Sequence, residues 1–147
     1  MFKHILIPTD GSPLSARAVK AGLRLAQETG ARVTGYHAAD PVRTHYYGEG
    51  FAAGTAVIRE LERRQQEAAR KHLAPLERAA RAAGVPFDTV IDTPSSTYEG
   101  IVGTAKKRRC DAIVMASHGR RGLAGVLLGS VTQQVLSHSR IPVMVTR

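Results

Sequence analysis

The segment from residue 117 to residue 130 holds the residues best suited to chemistry, because four of the chain's 14 glycines fall between Gly119 and Gly129. Glycine lets backbone N–H groups approach an anion closely and tolerates positive φ. Gly129 and Ser130 directly precede a helical pattern, so they would place N–H groups and a hydroxyl at a helix N-terminus. The segment therefore predicts a phosphate cradle. A flexible connector, whose glycines serve only turn geometry, is the alternative.

Two common phosphate-binding motifs do not account for this segment. The chain contains no G-x-x-x-x-G-K-[ST] sequence. The spacing of Gly119, Gly122 and Gly125 also differs from the dinucleotide fingerprint G-x-G-x-x-G. Walker-type and Rossmann-type sites are therefore excluded.

The sequence gives no catalytic or metal-binding constellation. His118 has no cysteine or serine nearby in an evident nucleophile motif, and the six histidines are too far apart for a ligand pair at i, i+4. The single cysteine, Cys110, excludes an internal disulfide and a cysteine zinc cluster, and we interpret it as structural. We therefore expect no enzyme. Any Mg²⁺ would arrive with a bound phosphate group, since it binds phosphates and one or two carboxylates.

Apolar runs alternate with amphipathic stretches along the whole chain. The predicted strands cover residues 2–8, 32–38, 86–91, 112–116 and 142–146. The first two predicted helices cover 13–29 and 55–83, and the second is expected to kink at Pro75. A third helix is predicted to begin after a cap at Ser95 or Ser96, and a fourth to run through Val131, Val135 and Leu136. The long polar loop at 39–54 is predicted to be a functional lid.

Helical spacing predicts which residues of the first two helices face the core. Ser12 is expected to cap the first helix, with Pro13 at its first position and Gly30 at its end. The two expected apolar stripes are Leu14, Ala18, Ala21 and Leu25 in the first helix, and Leu61, Ala68, Leu73, Leu76, Ala80 and Ala83 in the second.

Five strands alternating with helices predict a doubly wound α/β fold, with a parallel sheet, right-handed crossovers and helices on both faces. A length of 147 residues predicts one domain, 1–147. In this architecture ligands bind outside the carboxyl ends of the strands, where the strand order reverses. The loops after the first and fourth strands are therefore the expected site.

Composition and net charge indicate what kind of chain this is and which macromolecules it can bind. Hydrophobic residues make up 43% and charged residues 22%, which is typical of a globular chain rather than a disordered one. The N-terminus lacks signal-peptide features and no 18-residue apolar run occurs, so we expect a cytoplasmic protein without a membrane partner. The 21 basic and 12 acidic residues give a net charge of +9. Because the arginines are scattered, we expect only weak, sequence-independent nucleic-acid binding.

The glycine-rich segment resembles the motif G-x2-G-x9-G-[ST] of the ATP-binding branch of the universal stress protein family. Gly119 is followed after nine residues by Gly129 and Ser130, while Ala116 stands at the position of the first glycine. Further similarity lies in the segments 5–12 (ILIPTDGS), 127–131 (LLGSV) and 141–145 (IPVMV). The resemblance thus extends over the whole chain.

The resemblance implies a strand order of 3-2-1-4-5 and a set of nucleotide contacts. In that order Asp10 lies beside the glycine-rich loop, near the ribose or a Mg²⁺ ion. Ala38 matches a position whose backbone pairs with the adenine edge. By the same resemblance, Pro8, Thr9 and Asp10 line the adenosine side, Met115 and Ala116 flank the sugar, and His118, Gly119, Gly129, Ser130, Val131 and Thr132 surround the phosphates.

The resemblance implies a cytoplasmic stress-response protein that binds ATP with Mg²⁺ between the loops after strands one and four, and acts as a regulatory module. A family member that binds no nucleotide and acts as a protein-interaction module is the alternative, and Ala116 is its main support. Slow ATP hydrolysis and nucleic-acid binding remain further alternatives. A homodimer is expected through strand five, whose Val- and Met-rich edge would otherwise invite pairing.

Overall fold

The computed structural model describes residues 1–41, 54–118 and 128–147. Most of the predicted lid and most of the glycine-rich loop lie outside these residues. The helices and strands are β1 (His4–Pro8), α1 (Pro13–Thr29), β2 (Arg32–Ala38), α2 (Thr55–Ala82), β3 (Phe87–Asp92), α3 (Thr97–Lys107), β4 (Ala112–Ala116), α4 (Ser130–His138) and β5 (Val143–Thr146).

The five strands form one parallel sheet in the order β3-β2-β1-β4-β5. Helices α1 and α2 cover one face, and α3 and α4 cover the other. The doubly wound α/β prediction and its strand order are thus confirmed. The order reverses between β1 and β4, and this is where the fold leaves room for a ligand.

Strand β1 illustrates why the centre of the sheet is so apolar. Ile5, Leu6 and Ile7 are all fully buried, because β2 and β4 flank the strand and helices cover both of its faces. Alternate side chains point to opposite faces, so Ile5 and Ile7 join the core under α1 and α2, while Leu6 joins the core under α3 and α4.

Helix α1 has the ends that its sequence predicts. The Ser12 side chain accepts a hydrogen bond from the Ser15 N–H at 3.1 Å, and Pro13 occupies the first turn. Gly30 ends the helix in the left-handed conformation with φ at 68°. These local signals fix the distance between the β1 loop and the start of β2.

The predicted apolar stripe of α1 is displaced around the helix. Its buried residues are Ser15, Ala18, Val19, Gly22, Leu23 and Ala26, whereas Leu14, Ala21 and Leu25 are only half-buried. The prediction missed the true centre because Ser15 and Gly22 are not apolar markers. Gly22 is needed there, since a Cβ would lie 2.5 Å from the Ile7 side chain on the sheet.

In α2 the buried residues are Ala69, Leu73, Leu76 and Ala80. Ala68 is exposed, so its predicted place in the stripe is wrong. The buried residues are separated by four, three and four positions, and this spacing places Ala69, not Ala68, on the same helix face as Leu73. The helix is continuous through Pro75, which lies on its exposed side, and the kink there stays a prediction.

The other differences concern element ends. Strand β3 starts and ends one residue later than predicted, and β1 and β5 start later than predicted. Ser96 occupies the N-cap position of α3, but its side chain makes no capping hydrogen bond. Among the described residues, no helix is both long enough and apolar enough to cross a membrane.

Candidate functional site

A cleft of about 510 Å³ opens at the carboxyl ends of β1, β2 and β4. This size falls within the range of small-molecule sites. The lining residues are Pro8, Thr9, Asp10, Ser15, Tyr36, His37, Ala38, Asp40, Thr97, Ile101, Met115, Ala116, His118, Ser130 and Val131.

Most of the residues predicted from the sequence lie on this cleft. The predicted residues in the lining are Pro8, Thr9, Asp10, Ala38, Met115, Ala116, His118, Ser130 and Val131. Gly129 and Thr132 lie behind them at the start of α4, and Gly119 lies outside the described residues. The predicted loops after β1 and β4 are thus brought together.

Six lining residues were not predicted: Ser15, Tyr36, His37, Asp40, Thr97 and Ile101. Tyr36 and His37 directly precede Ala38 at the end of β2, so their polar side chains in a buried strand were a usable signal. Thr97 and Ile101 come from α3, which packs on the face of the sheet opposite α1 and α2. Only the packing of that helix brings them to the cleft.

The loop after β1 is held by its own side chains. Asp10 Oδ1 accepts a hydrogen bond from the Ser12 N–H at 2.9 Å, and Thr9 Oγ1 lies 3.0 Å from Ser15 Oγ and accepts from the Gly11 N–H at 3.2 Å. Gly11 has φ at 77°, a conformation that favours glycine. The loop therefore presents the half-buried Asp10 carboxylate to the cleft in a defined position.

Strand β2 fixes the same loop from the other side. The Thr9 N–H donates to the Tyr36 carbonyl at 2.9 Å. His37 Nδ1 lies 2.8 Å from the Thr9 carbonyl oxygen. Because a carbonyl only accepts, Nδ1 must carry the proton and donate it. Two consecutive residues of β2 thus lock the backbone of Thr9.

The first turn of α4 is attached to the end of β4. The Gly129 N–H donates to the Ser117 carbonyl at 2.7 Å. Thr132 is buried, and its hydroxyl lies 3.0 Å from the Ala116 carbonyl and 3.1 Å from the Ser117 carbonyl. Gly129 and Thr132 therefore position the site from behind, whereas Ser130 and Val131 line it.

Gly129 is required for close approach. Its φ of −68° is open to any residue, so the expectation that it serves a positive φ is wrong at this position. A Cβ here would lie 3.3 Å from the Ser117 carbonyl oxygen and 3.4 Å from the His118 Cα. Both neighbours are backbone atoms, so even a methyl group would require a shift of a few tenths of an ångström, and a branched side chain would require more.

Within residues 1–41, 54–118 and 128–147, no side chain caps the N-terminus of α4. Gly129 is the N-cap and has no side chain that could accept a hydrogen bond. The first helical hydrogen bond runs from the Gln133 N–H to the Gly129 carbonyl at 3.0 Å. The N–H groups of Ser130, Val131 and Thr132 precede it and have no partner within the helix. Together with the helix dipole, they favour an anion in the cleft.

Two lining residues carry buried polar atoms without a hydrogen-bond partner in the described part of the chain, namely Tyr36 Oη and His118 Nε2. His118 Nδ1 lies 3.0 Å from Ser117 Oγ. Burial, with a smaller contribution from Asp92, raises the pKa of Tyr36 well above its usual range. The phenol is therefore neutral, and its buried oxygen lies against Gly100 of α3.

Ala116 ends β4, is buried, and lines the cleft. Its methyl group occupies the position where the motif of the universal stress protein family has glycine.

The residues at 1–41, 54–118 and 128–147 contain no group of three or more His, Cys, Asp or Glu side chains arranged to hold a metal ion. The carboxylates in the cleft lining are those of Asp10 and Asp40.

Comparisons with known proteins agree with this geometry. The family model described as "Universal stress protein family" matches residues 1–147. A universal stress protein of Thermus aquaticus is 33% identical over 147 residues, covering all of both chains. The solved structure of a universal stress protein of Methanocaldococcus jannaschii has a TM-score of 0.83 at 28% identity, covering 99% of this chain and 96% of that one.

A universal stress protein of Archaeoglobus fulgidus, solved in complex with dAMP, shares the fold with a TM-score of 0.67 at 17% identity, covering 100% of this chain and 98% of that one. The match of the family model over the full length and the 33% identity to the Thermus aquaticus protein both exceed a likeness of fold alone. The chain belongs to the universal stress protein family.

Proposed function

We propose that this protein binds ATP with Mg²⁺ in the cleft between the loops after β1 and β4. The observation that carries the proposal is the N-terminus of α4, which no side chain of the described residues caps and which lies on the same cleft as the Asp10 carboxylate. Backbone N–H groups at a helix N-terminus bind phosphate, and a carboxylate beside them suits a cation that accompanies phosphate.

The two ends of the cleft differ in chemistry in the way that a nucleotide requires. Ala38, Ile101 and Met115 contribute apolar side chains against which an adenine ring can pack, and the neighbouring Asp40 could accept a hydrogen bond from a ribose hydroxyl. The end near Ser130 offers backbone donors for phosphates. The Archaeoglobus fulgidus relative, solved with dAMP, supports an adenine nucleotide as the ligand class.

Mg²⁺ fits the residues at the phosphate end. This ion usually keeps several waters and binds phosphates plus one or two protein carboxylates. Asp10 would supply that carboxylate, and its Oδ1 is already oriented by the Ser12 N–H at 2.9 Å. The ion would neutralise part of the phosphate charge, while Pro8, Thr9 and Ala116 would flank the nucleoside.

We propose further that the bound nucleotide acts as a regulatory signal in the cytoplasm rather than as the substrate of a fast enzyme. His118 lines the cleft, and its Nδ1 lies 3.0 Å from Ser117 Oγ. The remaining nitrogen, Nε2, is buried, which suits a hydrogen bond to a bound group better than proton transfer with solvent.

A second candidate function is a protein-interaction module that binds no nucleotide. Ala116 favours it, because its methyl group lines the cleft where the family motif has glycine. A methyl group is the smallest side chain that can crowd a sugar at this position. The two functions therefore differ in whether the cleft remains wide enough beside Ala116.

Chromatography of nucleotides released from the denatured protein, followed by calorimetry with ATP, tests the proposal. Wild type should bind ATP more tightly with Mg²⁺ than without it. Asp10→Asn keeps an oxygen for the Ser12 N–H but removes the charge, so it should abolish most of the Mg²⁺ dependence. Asp92→Asn, which removes an exposed carboxylate outside the cleft, is the control. Absence of ATP binding at millimolar concentration would favour the interaction module.

We also propose a homodimer through β5, which is an edge strand of the sheet. Met144 is 44% exposed, whereas Val143 and Val145 pack against the core under α3 and α4. Met144→Asp is therefore the variant that would disturb the edge without disturbing the core. Sedimentation should show a weaker dimer for Met144→Asp but not for Leu136→Asp, which changes an exposed residue of α4. A wild-type monomer at micromolar concentration contradicts the proposal.

For nucleic acid we propose weak binding without sequence preference. The net charge of +9 attracts phosphates, but part of the arginine surface on α2 is already paired, as in the contact of Arg64 with Glu60 at 2.9 Å. Binding to a DNA duplex should fall steeply between about 50 and 200 mM salt. Sequence preference that survives the higher salt contradicts this.

A further inference from the structure

A second cleft, of about 560 Å³, lies between α1 and α2 on the face of the sheet opposite α3 and α4. We call it the α1–α2 groove. We call the cleft at the carboxyl ends of β1, β2 and β4 the nucleotide cleft. Thr9 and Ser15 line both clefts and form part of the wall between them. The groove is nevertheless a distinct space, because its other lining residues come from the two helices.

The groove arises where two helical stripes face each other across a gap. On α1 the residues Val19 and Leu23 form part of its floor, and on α2 Leu76 and Ala79 do. Val19, Leu23 and Leu76 belong to the buried core under these helices, so the floor is continuous with the core. The small side chain of Ala79 leaves open the space that a larger residue would fill. An apolar body would fit against this floor.

Contacts between neighbouring elements mark the two ends of the groove. At one end the Gln27 side-chain amide donates to the Ala83 carbonyl at 2.9 Å, which ties α1 to the end of α2. At the other end His72 lies against Gly11, where a Cβ would collide with the imidazole ring. The His72 ring is also 4.8 Å from the ring of His37. These contacts limit the length of the groove, and its volume of about 560 Å³ suits a small molecule.

The rim of the groove is cationic. Lys20 and Arg24 lie one helical turn apart on the lining face of α1, and no acidic residue belongs to the lining. Arg24 is paired with Glu28 at 2.9 Å. Lys20 has no ion pair within the described residues, so its ammonium group is available to an incoming anion.

From this combination we infer a second ligand site that accepts a small amphipathic anion, with an apolar body on the floor of the α1–α2 groove and a carboxylate at Lys20. The volume lies within the range of small-molecule sites, and the arrangement of apolar walls with few polar groups is the usual one. Neither the nucleotide nor its Mg²⁺ takes part in this site.

Decanoate is the probe, with decanol and decylamine as neutral and cationic probes of the same chain length. Calorimetry should detect decanoate binding that is tighter than that of decanol, with decylamine weakest. In methyl-labelled protein, decanoate should shift the resonances of Leu23 and Leu76, while those of Met115 and Ile101 in the nucleotide cleft stay in place. The experiment is done without nucleotide, so it stands whatever the outcome for ATP.

Two variants with matched controls locate the contacts. Lys20→Gln should weaken decanoate binding about 1.4- to fivefold, as expected for one exposed charge pair, and should leave decanol unchanged. Arg17→Gln removes an exposed charge of α1 outside the groove and should change neither. Ala79→Phe should block the groove, whereas Ala82→Phe, on the exposed side of α2, should not.

Four results overturn the inference. They are equal binding of decanoate and decylamine, no binding of decanoate at millimolar concentration, methyl shifts confined to the nucleotide cleft, and shifts of Leu23 and Leu76 that follow protein concentration without any probe. The last would mean that a second copy of the chain covers the groove.

Discussion

The two ends of the central sheet differ in whether their hydrogen-bond donors have partners within the protein. At the amino ends, the Asp111 carboxylate accepts hydrogen bonds from the Lys3 N–H at 2.8 Å and from the His4 N–H at 3.0 Å. At the carboxyl ends, the first turn of α4 has no side-chain cap, and Tyr36 Oη has no partner in the described part of the chain. One end satisfies its own donors, while the other leaves donors at a cleft.

A chain of side chains extends the closed arrangement at the amino ends. His4 Nε2 lies 2.7 Å from Thr34 Oγ1, Thr34 donates to Asp88, and Arg108 donates to Asp88 at 2.8 Å. Because Thr34 uses its proton for Asp88, His4 must donate from Nε2.

The contrast separates stability from binding on the same strands. Polar groups that pair within the protein stabilise the fold, whereas donors without a partner are free-energy costs that a ligand can offset. Substitutions at the amino ends should therefore change the free energy of unfolding, and those at the carboxyl ends should change ligand affinity.

Gly129→Val should have the largest effect. Its side chain would contact the Ser117 carbonyl and the His118 Cα, and displacing α4 moves the N–H donors of the phosphate end. We expect ATP affinity to fall at least about a hundredfold, which is roughly 2.7 kcal/mol. Calorimetry measures it, with Gly103→Val as control because nothing lies within 4 Å of a Cβ there. If Gly129→Val binds ATP as wild type does, the nucleotide site lies elsewhere.

Gly100→Ala should show that one position near the cleft is also critical for stability. A Cβ at Gly100 would collide with Tyr36 Oη and lie 2.8 Å from Pro94, so we expect a loss of about 1–3 kcal/mol in urea unfolding. Gly103→Ala, in open space on the same helix, should instead stabilise by up to about 1 kcal/mol.

Tyr36→Phe combined with Gly100→Ala identifies the clashing atom. Removing the hydroxyl should recover part of the lost stability, while Tyr36→Phe alone should be nearly neutral because its hydroxyl has no partner among the described residues. A double variant no more stable than Gly100→Ala would assign the clash to Pro94.

Thr34→Val tests the amino ends. Valine has nearly the same shape as threonine, but His4 Nε2 and Asp88 lose the Thr34 hydroxyl that both contact. The free energy of unfolding should therefore fall by about 1–3 kcal/mol. ATP affinity should not change. Thr89→Val is the control, since its hydroxyl makes only a long contact of 3.4 Å to Glu77. A loss of ATP affinity in Thr34→Val would refute the separation of the two ends.

His4 should make stability depend modestly on pH. Burial, followed by the charge of Arg32, lowers the pKa of His4 below its ordinary value of 6.5. Below about pH 6.5 the unfolded chain therefore takes up a proton that the folded protein resists, and the free energy of unfolding falls as the pH falls. Above that pH both states are neutral at His4 and the effect vanishes.

Urea unfolding at pH 7.5 and 5.5 measures this dependence. His4→Gln keeps a donor for Thr34 but removes the titrating group, so its loss of stability between the two pH values should be smaller than that of wild type. Parallel curves for the two proteins would show that other groups carry the pH dependence.

Much of the fold could be predicted from local sequence. The unbroken apolar run Ile5-Leu6-Ile7 indicates a strand buried on both faces, and Ser12, Pro13 and Gly30 mark the ends of α1, because caps and strand burial depend on neighbouring residues. Alternating strands and helices then predict a parallel sheet and a site at its reversal. Most of the residues that line the cleft followed from this order together with the family resemblance.

The tertiary structure alone decided what depends on contacts between distant elements. Ser15 and Gly22 are buried in α1 because β1 packs against that face, although neither is apolar. Gly129 needs to lack a side chain because Ser117 approaches it, and its own φ gives no sign of this. The α1–α2 groove likewise exists only when the two helices pack side by side. Local sequence reports the preferences of a segment, whereas a cleft is the space left between segments, so its shape follows from their packing.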